Sequence, residues 1–220
     1  GFSGFSEMQA LFRAGIATQI APSRSYQNRI REAVARSDHP LDSTSIAQEF
    51  VGGAVAGLEE LGRHLHELPI DRAVDLLAHA PSLWVAGARR AFPVATYLAY
   101  ALQHTDKPVQ LVDFAGAMHV GQVRGLRRGD VMVAISFAPY AEETMDVVRQ
   151  ASQAGATVIA ITDSRVGALA QMADVALVVQ ESAVFGFRAL SSTMALAQCL
   201  FIALAYRLEL EYKPSGAAAR

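Results

Sequence analysis

Residues 130–144, DVMVAISFAPYAEET, carry the side chains whose types and order are best suited to ligand chemistry. An apolar run ends at Ser136, and after a short loop Glu142 and Glu143 begin a helix. The helix dipole favours acidic residues in that first turn. A strand that leads through a small polar residue into a helix N-terminus presents backbone amides to an anion. The pattern predicts a binding loop for a small anionic metabolite, such as a sugar phosphate.

A second candidate loop follows an earlier apolar run and consists of Gly87, Ala88, Arg89 and Arg90. A glycine permits a tight turn, and arginines can bind a carboxylate or a phosphate through paired N–H groups. The loop is not a dinucleotide-binding fingerprint, because the second and third glycines of GxGxxG are missing. Taken alone, each loop also fits a plain strand-to-helix turn. The prediction of a binding site therefore depends on whether the fold brings the two loops together.

From Pro81 onward, five short apolar segments alternate with helical stretches. This alternation predicts an α/β fold, a five-stranded parallel sheet flanked by helices. In such sheets, ligands bind beyond the carboxyl ends of the strands, where the strand order reverses. That rule predicts a site between the loops after the first and third strands, which are the two loops above. The predicted strands are Leu83–Ala86, Val109–Val112, Val131–Ile135, Thr157–Thr162 and Val175–Val179.

The rest of the chain is arranged around this sheet. Residues 21–80 show helical patterns and no strand pattern, which predicts a helical linker or arm ahead of a sheet domain over 81–212. A closing helix is predicted over Phe187–Glu209, and 213–220 are expected to form a frayed tail. The closing helix is apolar on nearly every face, which favours burial by the sheet on one side and by a partner subunit on the other.

Composition excludes several classes of protein. The net charge of −2 gives no general attraction to nucleic acid or to an anionic membrane. The single cysteine, Cys199, allows no disulfide framework and is expected in the core. With no secretory leader and no uncharged apolar run of about 18 residues, the sequence predicts a cytoplasmic protein without a membrane span. The six histidines show no metal-ligand spacing, and neither a metal nor a cofactor is expected.

Glu181 follows the fifth predicted strand and is the acidic residue best placed to act on a ligand. A carboxylate at this position could accept ligand hydroxyls or act as a base, and it also fits a solvated surface acid. Ser136 has no recognisable histidine and acid partners, which argues against a nucleophilic serine hydrolase.

Four stretches of the chain carry a family resemblance: LWVAGARRAFPVATYLAYAL, GDVMVAISFAPYAEET, GATVIAITDS and ADVALVVQES. In order and spacing they resemble the sugar-isomerase (SIS) domain, a flavodoxin-like doubly wound fold, over residues 83–180. The whole chain resembles the bacterial RpiR/MurR family of transcriptional regulators. The opening GFSGFSEMQALFR is similar to the last helix of that family's helix-turn-helix domain, so residues 1–20 are expected to be its remnant.

The resemblance implies a cytoplasmic regulator, not an enzyme, that senses a phosphosugar or a related anionic sugar. Operator DNA would bind through the N-terminal domain, and the protein would be a homodimer or a homotetramer. The family's site corresponds here to Gly87, Ala88 and Arg89 in the first loop, to Ser136, Phe137, Ala138 and Thr144 in the phosphate loop, and to Glu181. We also expect Tyr140 and Phe137 to pack on a sugar ring.

The phosphate loop departs from the family pattern Ser-x-Ser-Gly-x-Thr. Ala138 stands at the second serine, Pro139 at the glycine and Ala141 at the threonine. Two hydroxyl donors are lost, each worth about 0.5–1.5 kcal/mol net. Either Arg89 or Arg90 replaces them, or the ligand is a sugar acid or a polyol rather than a phosphosugar.

Two other functions fit the same domain. A phosphosugar isomerase or lyase needs a base beside the sugar carbons, for which Glu181 is the candidate. A structural dimerisation module would leave the pocket empty. Fold alone does not separate the three, because function depends on the site.

Overall fold

Five apolar runs pair side by side as a parallel sheet in the computed structural model of the chain. The strand order is β2-β1-β3-β4-β5, which confirms the predicted α/β fold class. Four of the five strands have the predicted bounds, and β5 ends one residue earlier than predicted. The strands are β1 Leu83–Ala86, β2 Val109–Val112, β3 Val131–Ile135, β4 Thr157–Thr162 and β5 Val175–Val178.

The structure describes residues 27–28, 30–32 and 42–211, so the predicted remnant over 1–20 and tail over 213–220 lie outside the described residues. Single 3₁₀ turns lie at Leu65–Glu67, Arg89–Ala91, Ala115–Ala117 and Val123–Gly125. The helices are α1 Ser43–His64, α2 Ile70–His79, α3 Phe92–Leu102, α4 His119–Gln122, α5 Glu142–Ala154, α6 Ala168–Gln171 and α7 Ser191–Glu211.

Alternate residues of each central strand face opposite layers of helices, as the period of two requires. In β3, Val133 and Ile135 pack with α2, α3 and α7, while Met132 and Ala134 pack with α5 and α6. All five residues of β3 are buried, which explains why its sequence is apolar without alternation. The sheet is therefore covered on both faces, and its carboxyl edge remains as the place for a site.

Helix α2 packs in this layer, since Ala73, Val74 and Leu77 are buried in the core. Helix α1 forms the N-terminal helical arm and packs on α7. The predicted boundary between an arm over 21–80 and a domain over 81–212 stays a prediction.

The closing helix begins later than predicted. Residues Phe187 and Arg188 form strand β7, which pairs antiparallel with β6 (Ala183–Val184), and α7 begins at Ser191. Helix α1 lies close to this hairpin: a Cβ on Gly53 would come within 2.6 Å of the Val184 side chain. Glycine at this position therefore lets α1 and the hairpin approach each other closely.

Helix α7 is apolar all round, yet only part of its surface is covered. Leu196, Leu200 and Leu204 are buried against the sheet layer, whereas Ile202 and Tyr206 are exposed. Cys199 is also exposed, so its predicted core position is wrong. Segment 191–209 is long and apolar enough to span a membrane, and one third of it is buried. A core helix of a soluble protein meets the same criteria, and α7 packs against α1, α2 and α3.

Substitution of Leu200 by alanine tests the packing of α7 on the sheet. We expect Leu200→Ala to lower the free energy of unfolding by about 2–5 kcal/mol, because it leaves a cavity in a fully covered layer. The control Val166→Ala removes apolar atoms from a side chain that is 81% exposed, and we expect a change within about 0.5 kcal/mol. Equal effects of the two substitutions in urea denaturation would contradict this packing.

Candidate functional site

The strand order reverses between β1 and β3, which lie side by side in the sheet. The chain moves outward to β2 after β1 and to β4 after β3, so the loops after β1 and β3 flank the crevice where such sheets bind ligands. A Cβ on Gly87 would lie 3.2 Å from the Ile135 carbonyl oxygen and 3.1 Å from the Ala95 Cβ. Glycine thus lets the first loop leave the sheet in contact with the end of β3.

A hydrogen bond joins the two predicted loop regions directly. The Ala88 amide donates to Thr144 Oγ1 at 3.0 Å, and Thr144 is fully buried in the first turn of α5. Residues of both predicted loops are therefore brought together, at the place that the topology rule predicts.

The arginine of the first loop is already paired. Arg89 Nη2 donates to Glu143 Oε1 at 3.1 Å, and Nε donates to the same oxygen at 3.3 Å. Arg89 has a φ of +57°, a left-handed conformation that is uncommon outside glycine. The Glu143 amide and then Arg89 hold the pKa of the Glu143 carboxyl below its usual value. Arg90 is half-buried in the same 3₁₀ turn.

The loop after β3 is closed by its own serine. Ser136 Oγ, which is buried, accepts a hydrogen bond from the Ala141 amide at 3.2 Å. Phe137 is buried beside it, and a cis peptide bond joins Ala138 to Pro139. The N-cap residue of the helix that follows, α5, is Ala141, whose side chain makes no capping hydrogen bond. The loop therefore leads directly into the N-terminus of α5, where the helix dipole favours anions.

Asp163, at the end of β4, organises the rest of this edge. Its Oδ2 atom accepts from the Ala138 amide at 3.1 Å and from Arg188 Nη2 at 2.8 Å, and its Oδ1 accepts from the Tyr140 hydroxyl at 3.3 Å. Burial, and next the Asp163 charge, raise the pKa of Tyr140. Sequence reasoning gave Asp163 no role in the site. Its position after a buried strand next to β3 was the available signal.

Arg188 enters the site from the β6–β7 hairpin. Its guanidinium carbon lies 4.8 Å from the centre of the Phe137 ring, which is a cation–π contact. Only 22% of the Arg188 side chain is exposed, and 13% of the Asp163 side chain. The sequence did not reveal Arg188, because the stretch around it was predicted to be helical.

The Glu181 carboxylate caps helix α7. Its Oε1 atom accepts from the Thr193 amide at 2.6 Å and from the Thr193 hydroxyl at 2.5 Å, and its Oε2 accepts from the Ser192 amide at 3.4 Å. Both oxygens thus stabilise the start of the closing helix. A ligand-binding role for Glu181 stays a prediction.

A cavity of about 200 Å³ lies at the same sheet edge, beyond β5. Its lining includes His64, Arg165, Val179 and Gln180. The side-chain amide of Gln180 donates to the backbone carbonyl oxygen of Asp163 at 2.8 Å. In the part of the chain that the structure describes, no three His, Cys, Asp or Glu side chains converge as metal ligands would.

The fold and this edge agree with a known domain family. The SIS domain profile matches residues 76–203, more than half of the chain. The chain therefore belongs to the SIS domain family.

Relatives of known sequence and structure include transcriptional regulators. An uncharacterized HTH-type transcriptional regulator of Haemophilus influenzae is 27% identical over 181 residues, which are 81% of this chain and 59% of that protein. The sugar isomerase domain of an RpiR transcription factor from Sphaerobacter thermophilus superposes with a TM-score of 0.67 at 24% identity, and the match covers 74% of this chain and 91% of that one. The chain spans about three fifths of the length of the first curated relatives that it matches.

Two further solved structures share the fold. The NanR protein of Vibrio vulnificus, complexed with ManNAc-6P, superposes with a TM-score of 0.59 at 19% identity. The match covers 96% of this chain and 71% of the NanR chain. A putative phosphosugar isomerase of Bacteroides fragilis has a TM-score of 0.62 at 20% identity, with 79% of this chain and 94% of its own covered. At these identities the similarity shows the fold alone, and the fold serves both regulators and isomerases.

Replacement of Thr144 tests the hydrogen bond between the loops. Thr144→Val keeps the shape of the side chain but leaves the buried Ala88 amide without its acceptor, so we expect a loss of about 1–3 kcal/mol in the free energy of unfolding. The matched control is Thr157→Val in β4, where no side-chain hydrogen bond to another described residue forms. If the two substitutions cost the same, the bond does not hold the loops together.

The Arg89–Glu143 pair predicts a dependence of stability on pH. Because the folded chain lowers the pKa of Glu143, its contribution is present above the ordinary value of 4.5 and is lost as the pH falls through the lower, folded value. We expect Glu143→Gln to lower the urea midpoint at neutral pH and to differ less from the unaltered chain in acid. A difference that is constant with pH would contradict the lowered pKa of Glu143, which its own amide and next Arg89 bring about.

Proposed function

We propose that this chain is the effector-binding domain of an RpiR-type transcriptional regulator, and that its ligand is a phosphosugar or another anionic sugar derivative. The observation that carries the proposal is the hydrogen bond between Ala88 and Thr144, which unites two loops at the strand-order reversal of a SIS domain. The ligand would bind along Gly87, Ala88, Arg89 and Arg90 and along Ser136, Phe137, Ala138, Tyr140 and Thr144.

Charge and helix geometry support an anionic group on the ligand. The N-terminus of α5 favours negative charge, and Arg89, which pairs with Glu143 in its first turn, lies beside it. The NanR protein was solved in complex with ManNAc-6P, which supports a phosphorylated sugar for this domain. Phe137 and Tyr140 line the same loop and would pack against the sugar ring.

The hydrogen bonds of the Glu181 carboxylate support a regulatory rather than an enzymatic role. A general base must have a carboxylate oxygen within reach of a substrate proton. Both oxygens of Glu181 accept hydrogen bonds from the start of α7. The HTH-type relative supports the same choice, and operator DNA would bind through an N-terminal domain.

The exposed apolar side chains support a homodimer or a homotetramer in the cytoplasm. Val51 and Val55 on α1, and Ile202 and Tyr206 on α7, are large apolar residues that are at least 49% exposed. Exposed apolar patches mark contacts between proteins, and α1 and α7, which carry these residues, pack on each other. Symmetric oligomers also suit regulators that bind paired half-sites of DNA.

Calorimetric titration tests the proposed ligand class. The panel comprises ManNAc-6P, glucose 6-phosphate, fructose 6-phosphate, arabinose 5-phosphate and gluconate, with the corresponding neutral sugars. We expect at least one anionic sugar to bind about tenfold or more tightly than its neutral analogue, the effect of one charged hydrogen bond. Arg89→Gln should weaken that binding, and the control Arg124→Gln, at an exposed arginine, should not.

Turnover assays on the phosphorylated sugars of the panel decide between regulator and enzyme. We expect no isomerisation. Isomerisation that is lost in Glu181→Gln would replace the proposal with the phosphosugar isomerase alternative, and failure of the whole panel to bind would overturn the ligand class.

A further inference from the structure

We propose that Arg188 is a ligand-binding residue of this site and that it selects for an anionic group on the sugar. The inference rests on the proposed function and adds to it a cation from the β6–β7 hairpin, which none of the sequence patterns indicates. Arg188 would bind the phosphate or carboxylate of the ligand through the edge of its guanidinium group that carries Nη1.

The guanidinium is held in one orientation by two neighbours. Nη2 donates to Asp163 Oδ2 at 2.8 Å, and the planar group lies over the Phe137 ring at 4.8 Å. Nη1 is buried and meets no hydrogen-bond acceptor among the residues that the structure describes. A buried donor without an acceptor is destabilising, and an anionic ligand oxygen would supply that acceptor on binding.

Arg188 lies next to the phosphate loop. Phe137 lies in the loop between β3 and α5, and Asp163 Oδ2 also accepts from the Ala138 amide of that loop at 3.1 Å. The arginine and the loop amide therefore share one carboxylate oxygen, Asp163 Oδ2. Arg188 Nη1 is thereby placed next to the loop where the family's second serine is replaced by Ala138.

In this proposal, Arg188 replaces the hydroxyl donors that the phosphate loop lacks. A serine or threonine hydroxyl supplies one neutral donor, whereas a guanidinium supplies a charged, planar donor pair that fits phosphate and carboxylate oxygens. The exchange strengthens binding of an anion relative to that of a neutral sugar. The loop is thus predicted to prefer a negatively charged ligand to a neutral polyol.

The matched pair Arg188→Gln and Arg165→Gln tests the inference. Glutamine at 188 keeps an N–H that can donate to Asp163 but removes the charge, while Arg165 lies at the same sheet edge with its side chain 65% exposed. Titrations use inorganic phosphate, and the tightest-binding anionic sugar of the panel above with its neutral analogue. The readout is the ratio of affinities for the anionic and the neutral sugar, which a purely structural effect would not change.

We expect Arg188→Gln to lower this ratio about tenfold or more and Arg165→Gln to leave it unchanged. Arg188→Lys keeps the charge but not the planar donor pair and should lower the ratio to a smaller extent. If circular dichroism shows that Arg188→Gln is unfolded, the Arg188→Lys variant decides the question. A ratio equal to that of the unaltered chain in the folded variants overturns the inference and leaves the proposed function standing. If the unaltered chain binds no anionic probe, both fail.

Discussion

The hydrogen bond from the Ala88 amide to Thr144 Oγ1 is the contact on which the site depends. It forms because Gly87 lets the first loop pass against the end of β3, and because Thr144 is buried in the first turn of α5. The two partners belong to different crossovers and are separated by 56 positions in the chain. They are neighbours because the strand order reverses between β1 and β3. The bond holds the two loops together at the crevice that this reversal forms.

Charges at this edge are arranged in opposite pairs. Arg89 pairs with Glu143 in the first turn of α5, and Arg188 pairs with Asp163 after β4. The Asp163 carboxylate also accepts bonds from the Ala138 amide and the Tyr140 hydroxyl, so it fixes the loop and the hairpin together. An anionic ligand entering between the pairs would share each arginine with its acid. Arginine suits such sharing because its five N–H donors point in several directions.

The sequence predicted the sheet well because its strands are short apolar runs with polar residues or glycine at their ends. It failed at Arg188 because the two-residue strands of the hairpin are too short to show a period. It failed at Cys199 because a helix that is apolar all round does not reveal which face is covered. The role of Asp163 depends on contacts with Ala138 and Arg188, each 25 positions away, which local patterns cannot show.

A structure of the chain bound to its tightest anionic sugar would test the central claim most directly. The account predicts the acidic group of the ligand between the loop at Ala88 and the loop at Ser136, within hydrogen-bond distance of the start of α5 and of Arg188. A ligand bound instead in the cavity beside His64 and Arg165, with no contact to either loop, would contradict it.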